Sequence, residues 1–470
     1  MTSSAIARSV LKHGQSNRVA VIILSIVLVT MMIDVSLARV YDLVSKQPTS
    51  FTRVILFVIL AAICIIGQMF LLQFAANKST QIRRIARLRV KTINNGVRVC
   101  QMIVGGLLVF LLLQTVVMQD YHTLALLAIL WISYGTSIFL MALLAKRFLS
   151  WFSTNRNHII AMYALASISI AINVGFTISF VTDILIDRPA AIGPYSAGSM
   201  VIVPRDSPTA LNNSGFFVSS IVAFATLWLS TAMLLSHKAP MLGKLKFWLV
   251  IGSPLVLFLA QFASFFGQFL DPLIEADPVT FSIWITLIFT LSKPIGGLLF
   301  GAAFYTIAKK FSNDVAIRDY LIVSAIGFVL LFSSNQASVL LAGPYPPFGI
   351  ATSSFVGIAS FFVFLGIYSS AISISQDSAL RQLVRKNAVD QSRMLDMIGT
   401  AHLTEAIQGK VIKLVQANSE KLMEATGIES SESEENVKRF IGEVVSELNR
   451  SKKHSSLDAK DAKIEPEDDT

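Results

Sequence analysis

In the stretch FTLSKPIGGLLFG, positions 289–301, a lysine followed directly by proline stands inside an otherwise apolar run. An ammonium at the centre of a bilayer costs about 2.5–3.5 kcal/mol on insertion scales, so Lys293 is a functional candidate by its position alone. Pro294 removes a helix hydrogen bond, and Gly296 and Gly297 loosen the next turn. Together they predict a helix break, two half-helices meeting at mid-depth beside a cavity. The structural alternative is a tilted, kinked helix whose lysine snorkels to an interface. Other polar groups fall in the same half of the membrane: Asp34, Asp183, Asn173, and Asn335 with Gln336 in SSNQAS. They predict a polar cavity open to the outside in which Lys293 meets Asn335, Gln336 and Asp34. Interfacial placement of the two carboxylates, and interhelical hydrogen bonding by the amides, are the competing structural roles.

These residues must be positioned by helices. With 54% hydrophobic and 14% charged residues over 470 positions, the chain is too apolar for an ordinary soluble domain, where about a quarter of residues are charged. Ten apolar runs follow one another, each long enough to cross about 30 Å of hydrocarbon. They lie at 19–37, 54–75, 99–118, 123–145, 158–184, 214–236, 247–270, 281–308, 320–341 and 350–375. The predicted fold class is an all-α, polytopic membrane bundle with a C-terminal cytoplasmic helical tail.

The formal net charge of +10 does not point to nucleic acid, because it alternates from loop to loop. With the N-terminus cytoplasmic, the inner loops carry 19 Lys and Arg and the outer loops 5. This is the positive-inside pattern, and it predicts a multi-pass plasma-membrane protein with both termini in the cytoplasm. The block between spans 2 and 3 includes Arg83, Arg84, Arg87, Arg89 and Lys91 without an acid. Its residues are candidates for anionic lipid headgroups, or simply set topology.

Domain organisation follows from composition. Residues 1–18 form a cytoplasmic segment, and 19–375 the transmembrane domain. Gly-Gly-Leu-Leu recurs at 105–108 and 296–299, which suggests an inverted repeat of 19–184 on 214–375, the arrangement of many transporters. Residues 376–470 carry 14 basic and 18 acidic side chains. Leu380, Val384, Ala388, Leu395 and Ile398 predict an amphipathic helix that continues the last span and ends near Gly399. A second stripe runs from Leu403 through Ile407, Val411 and Leu414 to Leu422 and Ala425. Ser431 and Glu434 form a capping box before a third stripe, Val437, Phe440, Ile441, Val444 and Leu448. Those faces need burial in a small bundle, in self-association or against a cytoplasmic partner. The helical region thus extends over 376–450, and the polar stretch 451–470 is predicted to be disordered.

The segment GPYPPFGIATSSFVGIASFFVFLGIYSSAISISQDSALRQLVRK, 343–386, resembles polytopic membrane proteins of unknown function from ammonia-oxidising archaea. The resemblance implies a family context and no activity.

The two cysteines, Cys64 and Cys100, and six dispersed histidines give neither a disulfide framework nor metal-ligand spacing. P-loop, G-x-S-x-G and dinucleotide fingerprints are missing from the sequence, so neither an enzyme nor a cofactor is expected. Two function classes fit. One is a membrane sensor or signal-coupling protein whose outer cavity acts through the last span on the tail. The other is a secondary transporter of a small solute or ion built on five-span repeats. The expected partners are the lipid bilayer, a small-molecule ligand of unknown identity, and a cytoplasmic protein or a second copy at the tail.

Overall fold

The computed structural model describes residues 19–38, 51–79, 84–193, 209–236, 239–262, 278–312, 316–342, 345–386 and 393–426. The long helices are α1 (Val19–Ala38), α2 (Phe51–Ser79), α3 (Arg84–Leu113), α4 (Thr123–Thr154), α5 (His158–Ile186), α6 (Thr209–Leu235), α7 (Lys244–Ala260), α8 (Pro278–Ala308), α9 (Ala316–Ser334) and α10 (Val356–Gln376). Two tail helices follow, α11 (Ser378–Lys386) and α12 (Arg393–Thr426). Apolar side chains surround most of the first ten helices instead of forming one stripe, as expected for helices immersed in lipid and packed protein. Nine helical segments among the described residues are long and apolar enough to cross a membrane. The chain is an all-α, multi-pass membrane protein. The seventh expected span is represented by the 17 residues of α7, and the remainder of that span, 263–270, lies outside the described residues.

Helix α10 occupies the centre, touching α2, α3, α4, α9 and the tail helix α12. Glycines permit this proximity. A Cβ at Gly327 of α9 would lie 2.5 Å from the Val363 backbone nitrogen, and one at Gly366 of α10 would strike the Tyr320 carbonyl. Small residues at such crossings replace the hydrophobic driving force that helices lack in lipid. Gly301 of α8 does the same work against α9, where a Cβ would meet Val329 at 2.6 Å and the Ala325 carbonyl at 2.7 Å.

Two sequence expectations are corrected. Helix α8 runs unbroken from Pro278 to Ala308, through Pro294, Gly296 and Gly297. Proline removes only one N–H, and the flanking turns keep their own bonds. The glycines there serve packing: a side chain at Gly296 would collide with Phe224 of α6, and one at Gly297 would come within 3.1 Å of Phe332 of α9.

The second correction concerns the tail, because α10 does not continue into it. Asp377 adopts an extended backbone at the end of α10. Its carboxylate caps α11 by accepting from the Ala379 and Leu380 N–H groups at 3.0 and 3.1 Å. Arg381 turns back to donate to the Ile374 and Ser375 carbonyls at the end of α10. Gly399 lies inside α12, where it allows close contact with Ile374. The third tail stripe, the 451–470 tail and the 1–18 segment lie outside the described residues.

Candidate functional site at the interrupted turn between α9 and α10

The break expected in α8 is found instead in the next two elements. Helix α9 stops at Ser334, and a short 3-10 turn covers Ala337–Leu341. A single helical turn, Ile350–Ser353, then precedes α10. Ala337, Leu340, Phe348 and Ile350 are buried. Non-helical backbone at membrane depth persists only where protein groups satisfy it, and here side chains from most of the surrounding helices do so.

Lys293, 5% exposed, donates from Nζ to the Asn335 carbonyl at 2.7 Å. Its ammonium therefore sits at the C-terminal end of α9, where carbonyls lack helical partners and the helix dipole is negative. It also lies 5.9 Å from the Phe216 ring centre. Arg188 reinforces the same polarity by donating to the Leu340 and Leu341 carbonyls at 3.2 and 2.9 Å. On the other side of the turn the sign is reversed. Asp34, fully buried, accepts from the Gly349 N–H at 2.9 Å, the Thr352 N–H at 3.2 Å and the Thr352 hydroxyl at 2.7 Å. A carboxylate thus occupies the N-terminal end of the Ile350–Ser353 turn, where free N–H groups favour an anion.

Neutral groups complete the frame. The Ala337 N–H donates to the Tyr134 hydroxyl at 3.2 Å. Ser133 inserts its hydroxyl into the α10 ladder, accepting from the Gly357 N–H at 3.3 Å and lying 3.2 and 3.1 Å from the Ser353 and Ser354 carbonyls. Gln101 donates to Gln68 at 2.7 Å, and Gln68 donates to the Ser354 hydroxyl at 2.5 Å.

The Asn335 amide donates to Asn173 Oδ1 at 3.0 Å, and the Asn173 amide to Ser219 at 3.2 Å. Asn335, Asn173 and Lys293 border a small cavity of about 20 Å³, enough for about one water-sized molecule. Ser220 adds a polar group, and Phe224, Phe258 and Phe332 form an aromatic wall. Asn335 Oδ1 and Gln336 Oε1 are buried acceptors without a hydrogen-bond partner.

The turn therefore gathers Lys293, Asn335, Gln336 and, through Asn335, Asn173. Asp34 serves its other end. Asp183 is tied elsewhere, accepting from the Asn212 amide of α6 at 2.5 Å. Of the lipid-headgroup candidates, Arg84, Arg87, Arg89 and Lys91 fall within α3, Lys91 is exposed, and Arg83 lies outside the described residues. Sequence reasoning missed Gln68, Gln101, Ser133, Tyr134 and Arg188. The two buried glutamines carried a readable signal, since an amide in an apolar span needs a partner on another helix. Among the described residues no three His, Cys, Asp or Glu side chains cluster to hold a metal.

At the opposite end of α10, the first half of α12 docks on the helix bundle. Met394, Leu395, Ile398 and Ala401 are buried. Glu405 accepts from Arg147 of α4 at 3.1 Å, and His402 packs edge-on to Trp151 and Tyr368. His402 and Arg147 hold the Glu405 carboxyl below the ordinary carboxylate range. No protein family model matches the chain, and neither a curated protein nor a solved structure matches it.

Proposed function

We propose that the protein is a plasma-membrane sensor or signal-coupling protein, not an enzyme, with both termini in the cytoplasm. In this reading the occupant of the Lys293–Asn335 cavity biases the interrupted turn, and α10 carries the change to the docked tail. One observation supports it above the others: the α9–α10 pair is continuous in packing from the Lys293 and Asp34 contacts to the α12 docking surface. Every residue in the most apolar window of α10 is buried. Displacement of such an element repacks its neighbours, because close-packed interfaces switch between discrete arrangements.

The test places spin labels at Ser153 and Ala406, exposed positions on α4 and α12, with Cys64 and Cys100 replaced by alanine. Lys293→Met and Asp34→Asn should each change the distance distribution between the labels in nanodiscs. Identical distributions in all three proteins would rule out coupling along α10. A secondary transporter is the second reading, favoured by the interruption of α9 at membrane depth, since such breaks commonly hold substrates or ions. Lys293-dependent solute flux in proteoliposomes, with an unchanged label distance, would decide for it.

A further inference from the structure

The side-chain bonds beside Lys293 run in one fixed direction. Ser219 of α6 donates its hydroxyl proton to the Phe216 carbonyl at 3.2 Å, so towards Asn173 it can only accept. The Asn173 amide N–H therefore points at Ser219, and Asn173 Oδ1 is left to accept from the Asn335 amide. This order fixes which way round both amides lie. The atom at the end of the chain is Asn335 Oδ1, a buried acceptor without a partner, on a residue that lines the cavity. Leaving such an acceptor unmet is unfavourable, so the cavity calls for a molecule that donates to it.

We propose that this molecule is a single water, donating to Asn335 Oδ1 and bonded to the Ser220 hydroxyl, and that the site excludes ions of either sign. Size, lining and charge carry the assignment. The cavity measures about 20 Å³, above the roughly 10–15 Å³ that one water needs. Purely apolar cavities stay dry, whereas a buried water needs two to four polar neighbours. Asn335, Asn173, Ser220 and Lys293 all line this one. A metal or ammonium cation would lie beside the Lys293 ammonium, where salt does not screen the repulsion. An anion would meet that ammonium but set its charge against Asn335 Oδ1 and leave the acceptor without a proton. A neutral molecule with both a lone pair and a proton satisfies all four neighbours. The assignment rests on the reading of this cavity as the occupied site of the turn, and it names the class of the occupant.

X-ray radiolysis of the full chain in nanodiscs tests this, because hydroxyl radicals formed from a bound water oxidise the side chains next to it. Phe224 and Phe258 line the cavity and are each 1% exposed, whereas Phe57 and Phe361 are fully buried elsewhere. The first pair should be oxidised about tenfold faster than the second, whose labelling awaits local opening. Asn335→Leu removes the acceptor but keeps the backbone carbonyl that Lys293 bonds, and it should bring the two pairs to equal rates. Ser220→Val fills the cavity without touching the Ser219–Asn173–Asn335 chain and should do the same, which keeps the test decisive if Asn335→Leu does not fold. Equal rates in the parent, or a fast rate that survives both variants, overturn the proposal. So does broadening of the sodium-23 or chlorine-35 resonance by the parent that Ser220→Val abolishes, which assigns the site to an ion. None of these readouts involves α12, so the water site can fail while coupling along α10 stands, and the reverse.

Discussion

Helices α9 and α10 contrast with the outer layer of α1, α2 and α3, although all five are membrane spans. In their most apolar windows, 89% of the α9 residues and all of the α10 residues are buried, whereas for α1, α2 and α3 the shares are 39%, 39% and 33%. Hydropathy does not produce the difference, because α10 is less hydropathic than α2. Small and polar residues do. Gly327 and Gly366 let α9 and α10 approach to backbone contact, and Asp34, Gln68 and Ser133 reach inward from α1, α2 and α4 to bond the α10 region. Lipid competes with any apolar surface on equal terms, so apolar content cannot decide which helix lies inside. The two Gly-Gly-Leu-Leu copies make the contrast concrete. Cβ atoms at Gly105 and Gly106 of α3 would meet nothing within 4 Å, whereas those at Gly296 and Gly297 of α8 would strike α6 and crowd α9.

The largest effect should come from breaking the enclosed region at its negative cap. Asp34→Ala leaves two backbone N–H groups and one hydroxyl without their acceptor. Each orphaned buried donor costs about 1–3 kcal/mol, so a loss of about 3–5 kcal/mol is expected. Chemical denaturation in detergent would read it. A stability close to that of the parent would mean that the turn is held by other contacts.

Gly301→Leu comes next, expected to cost about 1–3 kcal/mol by overpacking. The Ala325 carbonyl is backbone and cannot swing aside as a side chain would. A milder version, Gly301→Ala, should show the same sign. An unchanged melting temperature for both would place the α8–α9 crossing farther apart than the 2.6 and 2.7 Å approaches at Gly301 require.

Lys293→Met should be nearly neutral for folding, within about 1 kcal/mol. It loses a charge-assisted bond to Asn335 worth about 1.5–3 kcal/mol, and it removes an insertion penalty of about 2.5–3.5 kcal/mol. Its separation from Asp34→Ala in thermal denaturation sharpens the distinction between the two caps. Equal destabilisation by both would show that the ammonium is held in place mainly to secure α9.

Much of this was legible in the sequence, and the limits have physical causes. Apolar runs of span length announced the helices, and Lys293 and Asp34 stood out by charge alone. What they do could not be read, because the groups they satisfy are backbone atoms far along the chain, 42 residues away for Lys293 and 315 for Asp34 and Gly349. Pro294 drew attention to α8, yet the backbone leaves the helix at Asn335, where no proline marks it. A membrane helix is interrupted where neighbours can satisfy the freed groups, and local sequence does not report its neighbours. In the tail, Gly399 looked like a stop signal and is instead a contact point, since glycine serves both purposes.

A smaller effect concerns the far end of α10. Glu405 has its carboxyl pKa lowered in the docked state, so its contribution is fully present above the ordinary value of 4.5 and fades as pH falls through the lowered one. The side chain is 36% exposed, so the contribution is small, at most about 1 kcal/mol after screening. Hydrogen exchange of α12, after correction for intrinsic rates, should therefore rise as pH falls below the ordinary carboxylate value of 4.5. Glu405→Gln should abolish that rise. A rise that persists in the variant would assign the pH dependence to another group.

The smallest effect tests the outer layer itself. At Gly105 a methyl group enters open space, so Gly105→Ala should add stability, by about 0.4–1 kcal/mol, through the lower backbone entropy of the unfolded chain. The same change at Gly301 adds a clash, so opposite signs at the two sites are the signature of one packed face and one free face. If Gly105→Ala proves destabilising, the α3 surface is not open to lipid in the working protein. A second copy then packs there, for glycine on an exposed membrane helix is also what a close helix pair requires. Chemical crosslinking of the parent and of Gly105→Ala would separate the cases, because loss of a crosslinked dimer in the variant follows only from the second.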